Sequence, residues 1–360
     1  MNKQKVILAV TTDLNYDQRI QRIAGALATK FEVLVVGRLL ADSLPLHKTT
    51  YTQTRLKCFF QKGFGMYAEY NIRLFFFLLF KKYDKITAND LDTVVGVYFA
   101  SFFKKSTLLF DAHEYFIEVP ELQGRTWVKK IWQFIEKNIA TRFDRYYTVN
   151  QSLATIFKER LNRDFEVVRN VPTQKTVQFE QASPPYLFYQ GAVNKGRGLE
   201  NLILAMQDFK GKYLLKIAGD GDILKELKAL VKANDLQETV IFLGKIAPNE
   251  LPKHTEQAFA GINLLENTSK NYYYSLANKF FDYVQAEIPQ IGMNFPEYQL
   301  LNQKHEVSIL IDDITTESIT KAILQLEDNS SYKQLKAQAQ MAKEVWCWEE
   351  ELKILNFISS

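Results

Sequence analysis

At 360 residues the chain exceeds the length at which one hydrophobic core usually stops growing, so the sequence implies two domains. Hydrophobic residues at 47% and charged residues at 24% describe an ordinary soluble globular protein. Forty-five Lys and Arg against 41 Asp and Glu leave +4, too even a balance for nucleic acid to be the main partner. Cys58 and Cys347 lie far apart in sequence, which excludes a disulfide framework or a metal knuckle and fits a reducing cytoplasm. The opening MNKQKVILAVTTD has too short an apolar run for a signal peptide. The longest apolar run, Leu74–Phe80, falls far short of the roughly 20 residues that span a bilayer.

Val6–Thr11 reads as a buried strand and Gln18–Ala28 as a helix with Ile20, Ile23, Ala24 and Leu27 on one face; Phe31–Val36 is the next strand. Between them, residues 11–17 carry no GxGxxG, which argues against a nicotinamide-dependent oxidoreductase. Lys85–Thr87, Thr107–Phe110 and Arg145–Val149 are further strands, each running into a polar cluster: Asn89 and Asp90, His113 and Glu114, Asn150 to Ser152. Polar groups at the carboxyl ends of parallel strands line the crevice where such sheets bind ligands. After the strand-like Phe165–Val168, Val171 and Pro172 close this half, and the polar stretch Thr173–Pro185 reads as a linker.

In the second half, Tyr186–Gln190 and Tyr213–Ala218 each end at a glycine, Gly191 and Gly219. Between them Leu199, Leu202, Ile203 and Met206 recur at helical spacing, giving the βαβ pattern of a parallel sheet. Glycines there let an anion approach the backbone, and the following helix offers free N–H groups and a positive dipole end. Arg197, beside Lys195, adds fixed charge where that helix begins, although a solvated helix start uses the same residues. Asp220-Gly221-Asp222 mimics a metal-binding DxD motif, but its place after a strand predicts a turn and helix cap, with no bound metal. Thr239–Leu243 then leads into Gly244, and Ala260–Leu265 into Glu266. A helix over Ser275–Ala286 precedes strands at Pro289–Ile291 and Val307–Ile311, and helices at Tyr332–Val345 and Glu349–Phe357 end the chain. The expectation is an α/β protein of two tandem Rossmann-like domains facing a central cleft.

The segments GAVNKGRG, IAGDGD, VIFLGKI and SLANKFFDYVQAEIPQI, in that order, resemble the C-terminal half of retaining GT-B glycosyltransferases, family 4. TTDLNYDQRIQR, ITANDLDTV and FDAHEYFIEVPEL resemble the first half of bacterial members that build surface polysaccharides, and WCWEEELKIL resembles the terminal helix that crosses back to the N-terminal domain. The resemblance implies an acceptor-side domain over 1–172, a nucleotide-sugar domain over 186–340, and a helical tail over 341–360 packing on the first domain. It implies transfer of a sugar from a nucleotide-diphosphate donor to a glycan or lipid-linked acceptor with retention, by front-face attack, without an enzyme nucleophile or a further cofactor. Catalysis then rests on positioning and on charge stabilisation at the leaving diphosphate.

By the same resemblance Arg197 takes the place of the family's helix-start lysine on the diphosphate, while Ala192 stands where an arginine is usual and Lys195 or Lys279 replaces its charge. The paired-glutamate signature falls on Tyr274 and Asp282, leaving Asp282 to accept ribose hydroxyls. Gly191, Gly219 and Gly221 shape the phosphate turns, Ser275, Asn278 and Lys279 open the next helix, and Lys245 and Ile246 line the nucleobase. His113 resembles the histidine facing the donor sugar and forms the catalytic set with Arg197, though a histidine at a strand end also serves as a structural hydrogen-bonding group. Asn15, Asp17, Arg19, Asn89, Asp90 and Glu114 are acceptor- or sugar-side candidates, Asn15 and Asp90 being equally good helix caps. Glu287 stands where the family has a glycine. A sugar-nucleotide epimerase of the same fold and a non-catalytic sugar-nucleotide-binding scaffold are the alternatives, the second because of Ala192 and Tyr274.

Residues 55–85 interleave cations with aromatics, among them Arg55, Lys62, Arg73, Lys81 and Lys82 with Phe60, Phe64 and Phe75–Phe77. Such a segment fits peripheral contact with the inner membrane surface of a cytoplasmic protein, or a helix with one face in the first domain and its cations in solvent.

Overall fold

Short runs of Val, Ile, Leu and Phe, buried on both faces, make the strands of two parallel sheets. The computed structural model describes residues 3–355 and 358. The chain divides into two units, Met1–Arg169 and Asn170–Ser360.

The first unit holds β1 (Lys5–Ala9), β2 (Glu32–Leu39), β3 (Thr52–Lys57), β4 (Lys85–Asn89), β5 (Thr107–Ala112), β6 (Arg145–Thr148) and β7 (Glu166–Val167). Their order is β3-β2-β1-β4-β5-β6-β7, all parallel. Central β1 aligns Val6–Ala9 with Val33–Val36 on one side and Lys85–Ala88 on the other. The edge strand β3, TQTRLK, had no apolar alternation to announce it; it is half-exposed and held by the β2 ladder.

The second unit holds β8 (Tyr186–Gln190), β9 (Leu214–Ala218), β10 (Val240–Gly244), β11 (Ala260–Asn263), β12 (Gln290–Met293) and β13 (Ser308–Ile311), in the order β10-β9-β8-β11-β12-β13 and again all parallel. Tyr186 to Tyr189 of β8 are fully buried, and the two tyrosines keep their hydroxyls satisfied by donating to His254 O (2.6 Å) and Ala192 O (2.6 Å). Each sheet reverses its strand order once, between β1 and β4 and between β8 and β11. At such a switch point the crevice beyond the carboxyl ends is the ligand site of an open α/β sheet.

Two sequence expectations change. The helix foreseen over Ser275–Ala286 begins only at Asn278 and runs to Gln285, after a separate single turn at Lys270–Tyr273 and a break, because Ala277 is extended. The stretch 170–184 has no regular element but is anchored to the second unit: Lys175 N donates to Gln285 Oε1, and Gln178 N and Phe179 N donate to Glu256. Helices Thr316–Glu327, Asn329–Val345 and Trp348–Ile354 complete this unit, and Trp348 N donates to Pro172 O (2.9 Å). Phe357, the expected end of the last helix, lies outside the described residues. Among the described residues no helix is long and apolar enough to cross a membrane.

Candidate functional site

At the β8–β11 switch point the turns after β8 and β9 interlock backbone to backbone. Gly191 N donates to Ala218 O (3.0 Å) and Val193 N to Asp220 O (3.0 Å). A Cβ on Gly219, whose φ is +149°, would fall 1.8 Å from Gly191 O, and one on Gly221 would fall 2.2 Å from Val193 O. Both glycines are therefore dictated by the packing of the turns, before any ligand is considered.

Two cations converge beside these turns. Arg197 lies over the Tyr272 ring (5.3 Å), with its Nε buried and without a hydrogen-bond partner. Lys279, in the first turn of helix Asn278–Gln285, places Nζ 3.7 Å from the centroid of the Tyr189 ring and 3.6 Å from where a Gly191 Cβ would stand. Burial pushes the Lys279 amine well below its usual range, and Arg197 pushes it further, against a smaller pull from Asp282. Among the described residues neither cation forms an ion pair. Two basic groups without an ion-pair partner among the described residues, on glycine turns with a helix start beside them, are an arrangement chemically suited to a polyanion.

Asp282, one turn further along the helix, accepts a hydrogen bond from Gln190 Nε2 (2.6 Å), and Gln190 in turn accepts from Thr255 Oγ1 (3.0 Å). The carboxylate is thus oriented at the end of β8. The remaining candidates of this unit are used differently. Ser275 lies in the break before the helix and donates to Tyr272 O (2.8 Å). Asn278 accepts from Asn170 Nδ2 (2.9 Å). Lys195 is exposed, its backbone N–H on Asp222 Oδ1 (3.2 Å). Lys245 stands 82% exposed, 3.7 Å from Asp220 Oδ2, while the Ile246 side chain packs on the core around Tyr186 and Phe188. Asp220 Oδ1 also accepts from Gly221 N (2.9 Å), so both aspartates of the DxD-like triplet hold the turn.

One residue was overlooked. Glu266, just beyond β11, donates its N–H to Gly196 O (2.8 Å), and its carboxylate lies 3.9 Å from the position of a Gly196 Cβ. Its signal in the sequence was its place at the end of the strand that neighbours β8 across the switch point.

In the first unit the ends of β4 and β5 carry a charge network. Arg19 is 5% exposed, grips Asp111 with Nε (3.1 Å) and Nη2 (2.8 Å), and donates Nη1 to Val168 O (2.6 Å). Asn89 is equally buried and donates to Ala9 O (3.0 Å). Both side chains are therefore internal: the Arg19 guanidinium and the Asn89 amide N–H are held by the sheet, while Asn89 Oδ1 is buried without a partner among the described residues. His113 sets Nε2 2.7 Å from Asp111 Oδ2 and Nδ1 3.3 Å from Asp90 Oδ2, and its backbone N–H donates to Asp90 Oδ1 (2.7 Å). Burial alone would lower the imidazole's pKa, but Asp111 and Asp90 outweigh it and hold the ring up at about 9. Asp90 adopts a left-handed φ of +59°, a strain its bonds to His113 offset. Asp92, donated to by Thr11 Oγ1, is pushed up to about 7 by burial and then by Asp90. Asp17 caps helix Gln18–Ala28 through Ile20 N (3.0 Å), Asn15 ties down the 44–47 loop through Pro45 O (2.9 Å) and His47 N (3.2 Å), and Glu114 is exposed.

This architecture, two Rossmann-like units whose first six strands follow the same order, is the GT-B fold. Sucrose-phosphate synthase from Thermosynechococcus elongatus superposes with a TM-score of 0.81 at 14% identity, over 99% of this chain and 98% of that one. The HepE protein of Anabaena, solved with UDP and glucose, gives 0.74 at 16% identity over 99% and 98%. A Listeria monocytogenes chain provisionally named a UDP-N-acetylglucosamine 2-epimerase gives 0.65 at 14% identity over 99% and 96%. Residues 170–345, and so the greater part of the second unit, match the family of glycosyl transferases group 1. No curated protein sequence matches the chain.

Proposed function

We propose that the protein is a retaining glycosyltransferase of the family 4 kind that moves a sugar from a nucleotide-diphosphate donor to a glycan or lipid-linked acceptor. The observation that carries this reading is the pair Arg197 and Lys279, two cations without counter-ions at interlocked glycine turns. The family match over 170–345 and the likeness to a fold solved with UDP-glucose support it. In this reading Arg197 and Lys279 hold the diphosphate and stabilise the charge that grows on it as the glycosidic bond breaks, the role such preorganised donors play best. Asp282, aimed by Gln190, accepts the ribose hydroxyls, and backbone groups of Gly244–Ile246 face the base. Glu266 supplies the carboxylate that Tyr274 cannot.

His113 serves in this reading as a fixed positive charge near the sugar. Both ring nitrogens face carboxylates and the ring stays protonated to about 9, so it has no lone pair with which to act as a base. The acceptor is presented at the inner face of a membrane, which residues 55–85 touch peripherally. The epimerase reading keeps a place because a chain provisionally named an epimerase shares the fold.

The test is a thermal-shift panel of UDP-, GDP- and ADP-sugars with wild type and Arg197→Ala, followed by product analysis. One donor class should raise the melting temperature of the wild type alone, and turnover with an acceptor should give a product of unchanged anomeric configuration. Acceptor-free interconversion of the donor would instead identify an epimerase, and stabilisation without turnover a binding protein. No stabilisation by any donor would defeat the site.

A further inference from the structure

Helix Gly63–Leu79 carries two apolar stripes. Met66, Tyr70, Leu74 and Leu78, each four apart, are buried against the sheet. Phe64, Ile72, Phe76 and Phe80 project from the other side, Phe76 being 55% and Phe80 86% exposed. A helix that only closed a core would have a polar outer face. The outer stripe forms one wall of a groove of 680 Å³, whose other walls are helices Val94–Ser101 and Thr126–Asn138. Its lining is almost wholly apolar: Tyr67, Ile72, Phe75, Phe99, Ile131 and Trp132 are typical. Gly96 lets the first two helices meet, since a Cβ there would fall 2.7 Å from Asn71 O, and Gly96 N donates to Asn71 Oδ1 (2.8 Å). The groove is thus built into the packing of the unit. Phe102 and Phe103 complete the lining, and helix Thr126–Asn138 also exposes Phe134 and Trp127, the last 79% exposed.

The charge on the groove helices is predominantly positive, although Lys129 is paired with Glu118 (2.8 Å). Residues 62–82, 94–105 and 125–138 hold ten Lys and Arg against two acids. Those two are already engaged, Glu69 with Arg73 (2.7 Å) and Glu136 with Arg160 (2.7 Å). Lys62, Lys81, Lys82, Lys105 and Lys130 are exposed at the ends or on the outer face of the groove helices. A self-complementary dimer across this face would set the same cations against one another, which like-charge repulsion opposes. A hydrocarbon chain with an anionic headgroup satisfies both features at once.

We propose that this groove seats the hydrocarbon chain of an anionic membrane lipid, with the headgroup on the lysine rim and the outer aromatics in the interfacial layer. The surface extends the membrane contact of residues 55–85 to two further helices. It is independent of the donor site, so either can fail alone.

The experiment uses the full chain with vesicles of phosphatidylglycerol and phosphatidylcholine whose acyl chains carry bromine, read by co-sedimentation and by tryptophan quenching without nucleotide. The wild type should sediment, less so as salt rises, and in a Trp127→Phe background quenching should fall sharply on adding Trp132→Phe, which removes the groove's tryptophan. Ile72→Glu with Phe99→Glu, at sites 58% and 44% exposed, should abolish sedimentation at unchanged melting temperature. Lys82→Glu with Lys105→Glu and Lys130→Glu should lower partitioning roughly a hundredfold or more, each lysine near an anionic surface contributing comparably. Absence of sedimentation, or sedimentation indifferent to Ile72→Glu with Phe99→Glu, would overturn the proposal. So would groove quenching that survives in Trp127→Phe with Trp132→Phe, or a concentration-dependent dimer broken by Ile72→Glu with Phe99→Glu in a protein that ignores vesicles.

Discussion

Lys279 is the residue whose chemistry most directly tests the donor site. Its ammonium is disfavoured by burial and by Arg197, and a bound diphosphate would reverse that balance. Ligand binding should then take up protons, and affinity should fall as pH rises through the depressed pKa of the free protein. Calorimetry of nucleoside diphosphate binding in buffers of different ionisation enthalpy measures the uptake; Lys279→Met should abolish it, and binding without uptake in the wild type would remove Lys279 from the phosphate. His113 titrates with a different sign of consequence. Its folded pKa of about 9 lies above the ordinary 6.5, so its stabilising contribution is complete below about 6.5 and is lost as pH rises through about 9. The shift corresponds to roughly 3 kcal/mol at most. Urea unfolding across that window should show the wild type losing more stability than His113→Gln, and parallel slopes would mean that the Asp111 and Asp90 contacts do not hold a charged ring.

At the scale of elements, helix Asn278–Gln285 shows what local pattern could and could not reveal. Its apolar spacing was legible, and so was Asp282. The break at Ala277 was not, because it depends on Tyr298, whose hydroxyl accepts the Ala277 N–H (3.0 Å) from a distant helix. The residue after this helix explains a second departure. Glu287 adopts a left-handed φ of +56°, where a glycine would be unstrained, and its carboxylate is held by Lys343 (2.6 Å) and Gln340 (2.8 Å). The side chain therefore ties the helix end to helix Asn329–Val345, and the strain is offset by a bond that no neighbouring residue in sequence announces. Glu287→Ala should lose the tie and keep the strain, whereas Glu287→Gly should lose the tie and relieve it. The alanine variant is expected to be the less stable by about 1 kcal/mol in chemical denaturation. Equal stabilities would show that the backbone there is not under strain. Helix Gly63–Leu79 illustrates the same limit: an apolar run all round the helix reads as burial, and only the packed structure separates its inward stripe from its outward one.

Across the whole molecule, two tandem parallel α/β units were readable because most strands end in a glycine or a polar cluster where a ligand crevice belongs, whereas the strand order, and β3 within it, were not. The second unit was read more fully than the first. Its glycine turns impose a backbone shape that few other residues allow, so their spacing carries chemistry in the sequence itself. In the first unit the polar clusters at strand ends serve two purposes that composition cannot separate: Arg19 and Asn89 turn inward while Asp90 and His113 stay partly open. The proposed division of labour between units rests on the positions of the charged groups. Arg197, Lys279, Asp282, Glu266 and the glycine turns all belong to residues 170–360, and the extended stretch 170–184 is fastened to that unit through Gln285 and Glu256. A chain of residues 170–360 should accordingly bind the nucleoside diphosphate with an affinity close to that of the full chain, while transferring no sugar, because the acceptor-side groups are gone. Calorimetric titration of the two proteins, with melting curves to establish that the shorter one is folded, decides the matter. A folded fragment that binds nothing would assign an indispensable part of the diphosphate site to residues 1–169, and the assignment of Arg197 and Lys279 as a self-sufficient receptor would fall with it.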